Sequence, residues 1–198
     1  MSIYVDPDEL KASLTLDGTT FADVDVEQAC AAASAQVEKM TNRDFGKSDD
    51  DVVRYYTARD PRVLVIDDIV TLTSLKTDDD ADGTFETTWA TTDYVLAPFN
   101  AATDDEPYMQ ITVPRYGTKN FPTNVQRGVE VTAEWGWPQP PQQVLVVAAL
   151  IATQLVKRKR DMPFGFVIGP EAAAYISRSD PTIQGQLNDL GRKKLQAE

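Results

Sequence analysis

The sequence predicts an α+β protein in which an antiparallel helical core, two long helices plus short N- and C-terminal helices, carries an inserted small antiparallel β domain. Three observations predict it. Apolar residues recur at helical spacing near both ends of the chain, they alternate with polar residues through its middle, and a proline-led apolar run follows the last alternating segment. The expected divisions are 1–48 for the N-terminal helices of the core, 49–134 for the β domain, 135–161 for the central apolar helix, and 162–198 for a C-terminal arm and helix.

Taken in order, Asp6-Pro7-Asp8-Glu9 is a helix start: an N-cap carboxylate, a proline at the first helical position and acids in the first turn. It predicts a short helix over 7–14, with Leu10 and Leu14 on one face, broken by Asp17-Gly18. A second helix is predicted over 26–42. Asp25 and Gln28 are spaced as a capping box, and Val26, Ala29, Cys30, Ala33, Val37 and Met40 mark one face. Alanine makes that face thin, so a partner helix can come close, and the apolar helix after Trp137 is the expected partner.

The period then changes to alternation. Strands are predicted over 52–57, 63–66, 69–75, 84–90, 94–96, 108–113 and 129–134, rich in Val, Ile, Thr, Tyr and Trp and separated by Asp, Gly, Pro and Asn clusters.

Pro140 and Pro141 suit a helix start, where a missing N–H leaves no bond unmade, so the next helix is expected to begin near Gln142. Between Val144 and Val156 only Thr153 and Gln154 interrupt the apolar residues. Val144, Val147, Ala148, Ile151 and Leu155 make one stripe, while Leu145, Val146, Ala149, Leu150 and Val156 project from other faces and also need covering. The run falls short of the ~20 residues of a membrane span, so no membrane is expected. Either its own domain wraps this helix or a second subunit covers it. Small domain size favours the subunit, which makes those five residues candidate interface residues of a homo-oligomer.

Asp161-Met162-Pro163-Phe164-Gly165 ends the helix, and a connection through residues 166–170 leads to 172–176. Asp180-Pro181 repeats the capped-proline start for a last helix carrying Ile183, Leu187 and Leu190, with Gly191, Arg192, Lys193 and Lys194 at its C-terminal end. This arm has too little apolar surface to fold alone and must dock on the body or on a partner.

Composition removes many chemistries. The chain holds 198 residues, is 42% hydrophobic and 25% charged, and shows no signal-peptide pattern after Met1. It contains no histidine, which excludes Ser-His and Cys-His catalysis and His-ligated zinc, and its one cysteine, Cys30, sits among alanines as a small core residue. Charge is uneven. Residues 1–140 carry 11 Lys+Arg against 26 Asp+Glu, a balance of −15, whereas residues 141–198 carry 8 against 5, a balance of +3. The acidic part repels DNA at long range, and the basic part can dock on an acidic protein or on nucleic acid.

Asp78, Asp80, Asp82 and Gly83 match the front half of a calcium loop, but the twelfth position is Trp89 in place of the closing acid, and the flanks are strand-like, so an acidic hairpin tip is expected and no metal. Lys157, Arg158, Lys159 and Arg160 could meet phosphates, yet cations also complement a helix C-terminus, and no run of aromatics accompanies them. Trp135 and Trp137 are expected as core anchors. With no framed carboxylate pair, phosphate loop or dinucleotide fingerprint, neither an enzyme nor a cofactor is expected.

The order of these elements has a precedent. An alanine-rich helix ending in Thr41-Asn42-Arg43-Asp44-Phe45, an inserted strand domain, and Gly136-Trp137-Pro138 before an apolar helix ending in Lys157-Arg158-Lys159-Arg160 resembles the head-tail connector (head completion adaptor) proteins of long-tailed double-stranded DNA phages. The segment Ala174-Tyr175-Ile176-Ser177-Arg178-Ser179-Asp180-Pro181 is similar to the C-terminal segment of those from phages of actinobacteria. The resemblance implies a non-enzymatic structural protein of the virion, assembled in the host cytoplasm. It implies a ring, normally a dodecamer, beneath the portal protein, extending the DNA channel and receiving the next connector or tail protein. Double-stranded DNA would pass without specific binding, and a gene transfer agent would use the same protein. Portal contact through the C-terminal segment points to Ile183, Leu187, Leu190, Arg192 and Lys193. The reading from a different class is a nucleic-acid-binding module using the basic clusters at 157–160 and 192–194.

Overall fold

The computed structural model describes residues 2–14, 23–161, 167–179, 181–188 and 190–191. The chain divides into two compact units, Met1–Phe45 with Pro140–Glu198, and Gly46–Gln139. Helices and a six-stranded antiparallel sheet make it α+β.

The first unit is helical. Helix α1 (Pro7–Ser13) starts as its sequence dictates, with the Asp6 carboxylate accepting from Asp8 N–H and Pro7 at the first position. Helix α2 (Asp23–Thr41) begins two residues before the proposed cap, so Asp25 lies inside the first turn, where its charge still complements the positive end of the helix dipole. Val26, Ala29, Cys30, Ala33 and Val37 are buried on its apolar face. The N-terminal segment is fastened to it by Tyr4. Its N–H bonds Ser34 Oγ, and its hydroxyl accepts from Phe45 N–H while lying 2.9 Å from Glu38 Oε1 and 3.2 Å from Asp44 Oδ1. Burial, then the nearby carboxylates, push the Tyr4 phenol well above its ordinary value, and burial lifts the Cys30 thiol to about 11.

Helix α3 (Gln142–Asp161) starts at the residue the prolines predict. It packs against α2, α4 (Pro170–Ser179) and α5 (Pro181–Asn188), and α2 also packs against these two short helices. The alanines Ala29, Ala32 and Ala33 leave room for such close approach.

The second unit is built on one long strand. Strands β1 (Val52–Tyr56), β2 (Val63–Thr77), β4 (Val95–Ala97), β5 (Tyr108–Thr112) and β6 (Val129–Trp135) lie in the order β1-β6-β2-β5-β4, with β3 (Thr87–Thr88) on β2. The N-terminal part of β2 pairs with β5, from Val63 opposite Thr112, and its C-terminal part pairs with β6, from Ile69 opposite Trp135 to Thr77 opposite Val129. The two strands expected over 63–66 and 69–75 are therefore one. Asp67 and Asp68, which look like a break, are accommodated where the ladder shifts register: Asp67 takes bonds from Arg54 and the Tyr56 hydroxyl, and the buried Asp68 takes one from Trp137 Nε1 at 3.1 Å. The strand expected over 84–90 shrinks to β3, because the acidic loop before it consumes backbone donors of residues 81–84.

Residues 135–139 belong to this unit and not to the helix that follows. Trp135 ends β6, its N–H bonds Ser48 Oγ, and its indole N–H bonds Val52 C=O. Gly136 follows at φ +107°, and a Cβ there would lie 1.7 Å from the Gly46 carbonyl oxygen. Only glycine lets the two backbones meet at this point.

Candidate assembly surfaces

In the helical unit the chemistry-bearing feature is α3. Helical spacing places Val144, Val147, Ala148, Ile151, Ala152 and Leu155 in the core. On the opposite side Val146 is 40% and Leu150 39% exposed, with the half-buried Leu145 and Ala149 beside them. At four-residue spacing these make one apolar stripe. Val156 is not part of it. It is 1% exposed within its own chain, one residue past Leu155 on the side that meets the other helices, and is withdrawn as an interface residue.

The last helix differs from its sequence expectation in the same way. Ile183 and Leu187 are 0% and 3% exposed, and α5 packs on α2, α3 and α4. Their modest stripe closes the protomer's own core, so neither side chain is presented to a portal. Leu190 is half-buried, and Arg192 and Lys193 lie outside the described residues. The basic run is partly committed as well: Arg158 sits 5.1 Å above the exposed Tyr175 ring, and Arg160 pairs with Asp161 at 3.3 Å. No described helix is long and apolar enough to cross a membrane.

In the sheet unit, Asp78, Asp80, Asp82 and Glu86 bring carboxylate oxygens within 4.8 Å of one another, the one such group among the described residues. Glu86 is the residue sequence spacing missed, because it enters at the ninth position, while Trp89 at the twelfth turns inward and bonds Thr77 Oγ1. The loop is ordered by its own backbone. Asp78 accepts from Ala81 and Gly83 N–H, Asp80 from Asp82, and Asp82 from Thr84. Each of the four offers one carboxylate oxygen to this group, which could hold a hard divalent ion, though three of its four members are exposed.

Solved structures that share this fold include two from gene transfer agent particles. One is a chain of "Neck of native GTA particle computed with C12 symmetry", at TM-score 0.52 and 18% identity, covering 100% of this chain and 96% of that one. The other is a chain of "Virion of native gene transfer agent (GTA) particle", at TM-score 0.51 and 19% identity, covering 98% and 93%. No protein-family profile matches the sequence. No curated protein matches it either. At this identity the likeness establishes the fold, and because it spans nearly the full length of both partners, it takes in the helical unit and the sheet unit alike.

Proposed function

We propose that the chain is a structural, non-enzymatic adaptor in the neck of a phage-like particle, a subunit of a ring of twelve beneath the portal that extends the DNA channel and joins head to tail. The observation that carries this is the near-complete coverage in both directions with a chain of a particle neck computed with C12 symmetry. The apolar stripe Leu145, Val146, Ala149 and Leu150 supports it, since a ring neighbour supplies the cover that this side of α3 lacks in the protomer. In this reading α2 and α3 frame an antiparallel helical core, as the sequence predicts. Leu190, Arg192 and Lys193 stay as the portal-facing residues, without Ile183 and Leu187. A lumen lined by the acidic residues 1–140 lets DNA slide without being held. The next connector or a tail protein takes the ring's other end, the particle is the site of residence, and assembly takes place in the host cytoplasm.

Electron microscopy of the purified protein, alone and with the portal protein of the same particle, tests the proposal. Rings that add to the portal are expected. A protein that stays monomeric with the portal and instead binds duplex DNA with a steep negative salt dependence would establish the nucleic-acid module. Against that module stand the contacts already taken up by Arg158 and Arg160.

A further inference from the structure

The sheet unit carries 8 Lys+Arg against 17 Asp+Glu, a balance of −9. Most of its cations are spent internally. Lys47, Arg54, Lys76 and Lys119 form ion pairs with Glu134, Asp67, Glu130 and Asp93, and Arg127 lies on the Tyr55 ring. The three that remain, Arg59, Arg62 and Arg115, all fall on two adjoining loops at the N-terminal end of β2. The loops are tied together: Val113 N–H bonds Arg62 C=O, Phe121 N–H bonds Pro61 C=O, and the Arg62 guanidinium bonds Pro114 C=O. Gly117 N–H closes a turn onto Pro114 C=O, which sets Arg115 and Tyr116 at its tip. Tyr116 is 82% exposed. A hydrogen-bonded turn presenting a tyrosine next to Arg115, with Arg59 and Arg62 on the adjoining loop, has the composition of an interface anchor.

At the other end of β2 stands its complement. Among the described residues none of Asp78, Asp79, Asp80, Asp82 or Glu86 makes an ion pair. Fifteen residues of strand hold the two ends roughly 45 Å apart, too far to meet within one chain. Two complementary patches at opposite ends of one strand suit a head-to-tail contact between copies, and such a contact generates a ring where its rotation closes.

We propose that the 59–62 and 114–117 loops are a docking surface for a second copy of this chain, receiving its acidic Asp79–Asp82 tip, with Tyr116 as the apolar anchor. The inference rests on the ring reading above and names one of its contacts. A second copy is favoured over duplex DNA because the sheet unit's −9 repels phosphates at distance, whereas the acidic tip of a neighbour is part of every assembling subunit.

Sedimentation of the full-length protein over a range of concentration and salt tests it. Wild-type protein is expected to associate more weakly as salt rises. Arg59→Glu with Arg115→Glu, and separately Asp80→Lys with Glu86→Lys, should each weaken association at least about tenfold, and the four changes together in one chain should recover much of it. Tyr116→Ala should weaken association with little change in its salt dependence. Circular dichroism confirms that each variant is folded. Charge variants that associate as wild type, or a combined variant that fails to recover, overturn the contact while rings seen by microscopy leave the ring reading standing. A wild type that never self-associates overturns the contact, and the ring reading falls with it only when microscopy with the portal also shows no rings. Loss of duplex retention by the Arg59→Glu, Arg115→Glu variant, with association unchanged, would assign the patch to DNA.

Discussion

The two units solve the problem of a small core in different ways. The helical unit assembles separate helices, most of them with a local start signal and a stripe of their own, and carries 11 Lys+Arg against 14 Asp+Glu. The sheet unit depends on one strand, β2, that serves two different neighbours along its length, and on a joint at Gly136 where only glycine fits. Damage to the first should be graded with the apolar area removed, whereas damage to the second should be concentrated at its few shared joints.

Breaking the joint gives the largest expected effect. Gly136→Ala places a methyl group against the Gly46 carbonyl in a backbone conformation that L-residues avoid, and should cost roughly 3 kcal/mol or more. Amide exchange should show the loss across β1 and β6. An exchange pattern unchanged there would mean that the backbones separate without consequence and that the contrast between the units is wrong.

Next comes the graded unit. Leu155→Ala should cost about 2–5 kcal/mol and Ile151→Val about 0.5–1.5 kcal/mol, following the methylenes removed from a fully buried site. Thermal or urea unfolding measures both. On the uncovered side of the same helix, Leu150→Glu or Ala149→Glu should leave the melting temperature nearly unchanged and abolish rings, because a neighbour would bury an unpaired carboxylate at a cost of several kcal/mol. A variant that assembles normally while folded removes the stripe from the interface. Truncation after Ser179 should destabilise the protomer itself, since it takes Ile183 and Leu187 out of the core.

The same contrast explains what was legible beforehand. Helix starts are local events, so Asp6-Pro7 and Pro140-Pro141 set α1 and α3 to the residue. Burial on a helix is not local. Stripe width alone assigns Val156 and the Ile183–Leu187 pair to partners, because it does not reveal that α4 and α5 pack back onto α2 and α3. In the sheet unit the alternation located every strand, but two acids in a row looked like a break. Their partners, Arg54, Tyr56 and Trp137, come from 11 to 69 residues away, and nothing local announces them. Arg59, Arg62 and Arg115 escape a sequence reading for a similar reason. They become a patch only once Arg62 meets Val113 and Pro114.

The smallest expected effect separates the units by pH. Lys47 holds the Glu134 carboxyl below its ordinary value, with help from Thr71, and Lys119 with the Ala90 N–H does the same for Asp93, both in the sheet unit. In the helical unit the Asp23 carboxylate raises Lys11 above the ordinary lysine range. For Glu134 and Asp93 the folded pKa lies under the unfolded one, so their contribution is present above the ordinary carboxylate range and is lost as pH falls through the folded values. For Lys11 the sign reverses: its contribution is complete below the unfolded pKa and is lost as pH rises through the folded one. Acid should therefore loosen amides around β6 and the 90–93 turn first, and alkali should loosen α1 first. The pairs are open to solvent and screened by salt, so both effects should be slight and should fade at high ionic strength. Lys47→Met should remove the Glu134 share of the acid response, and Lys11→Met the alkaline one, each leaving the other unit's response in place. If Lys47→Met altered the alkaline response at α1, the two units would not titrate independently, and the separation drawn between them would fail.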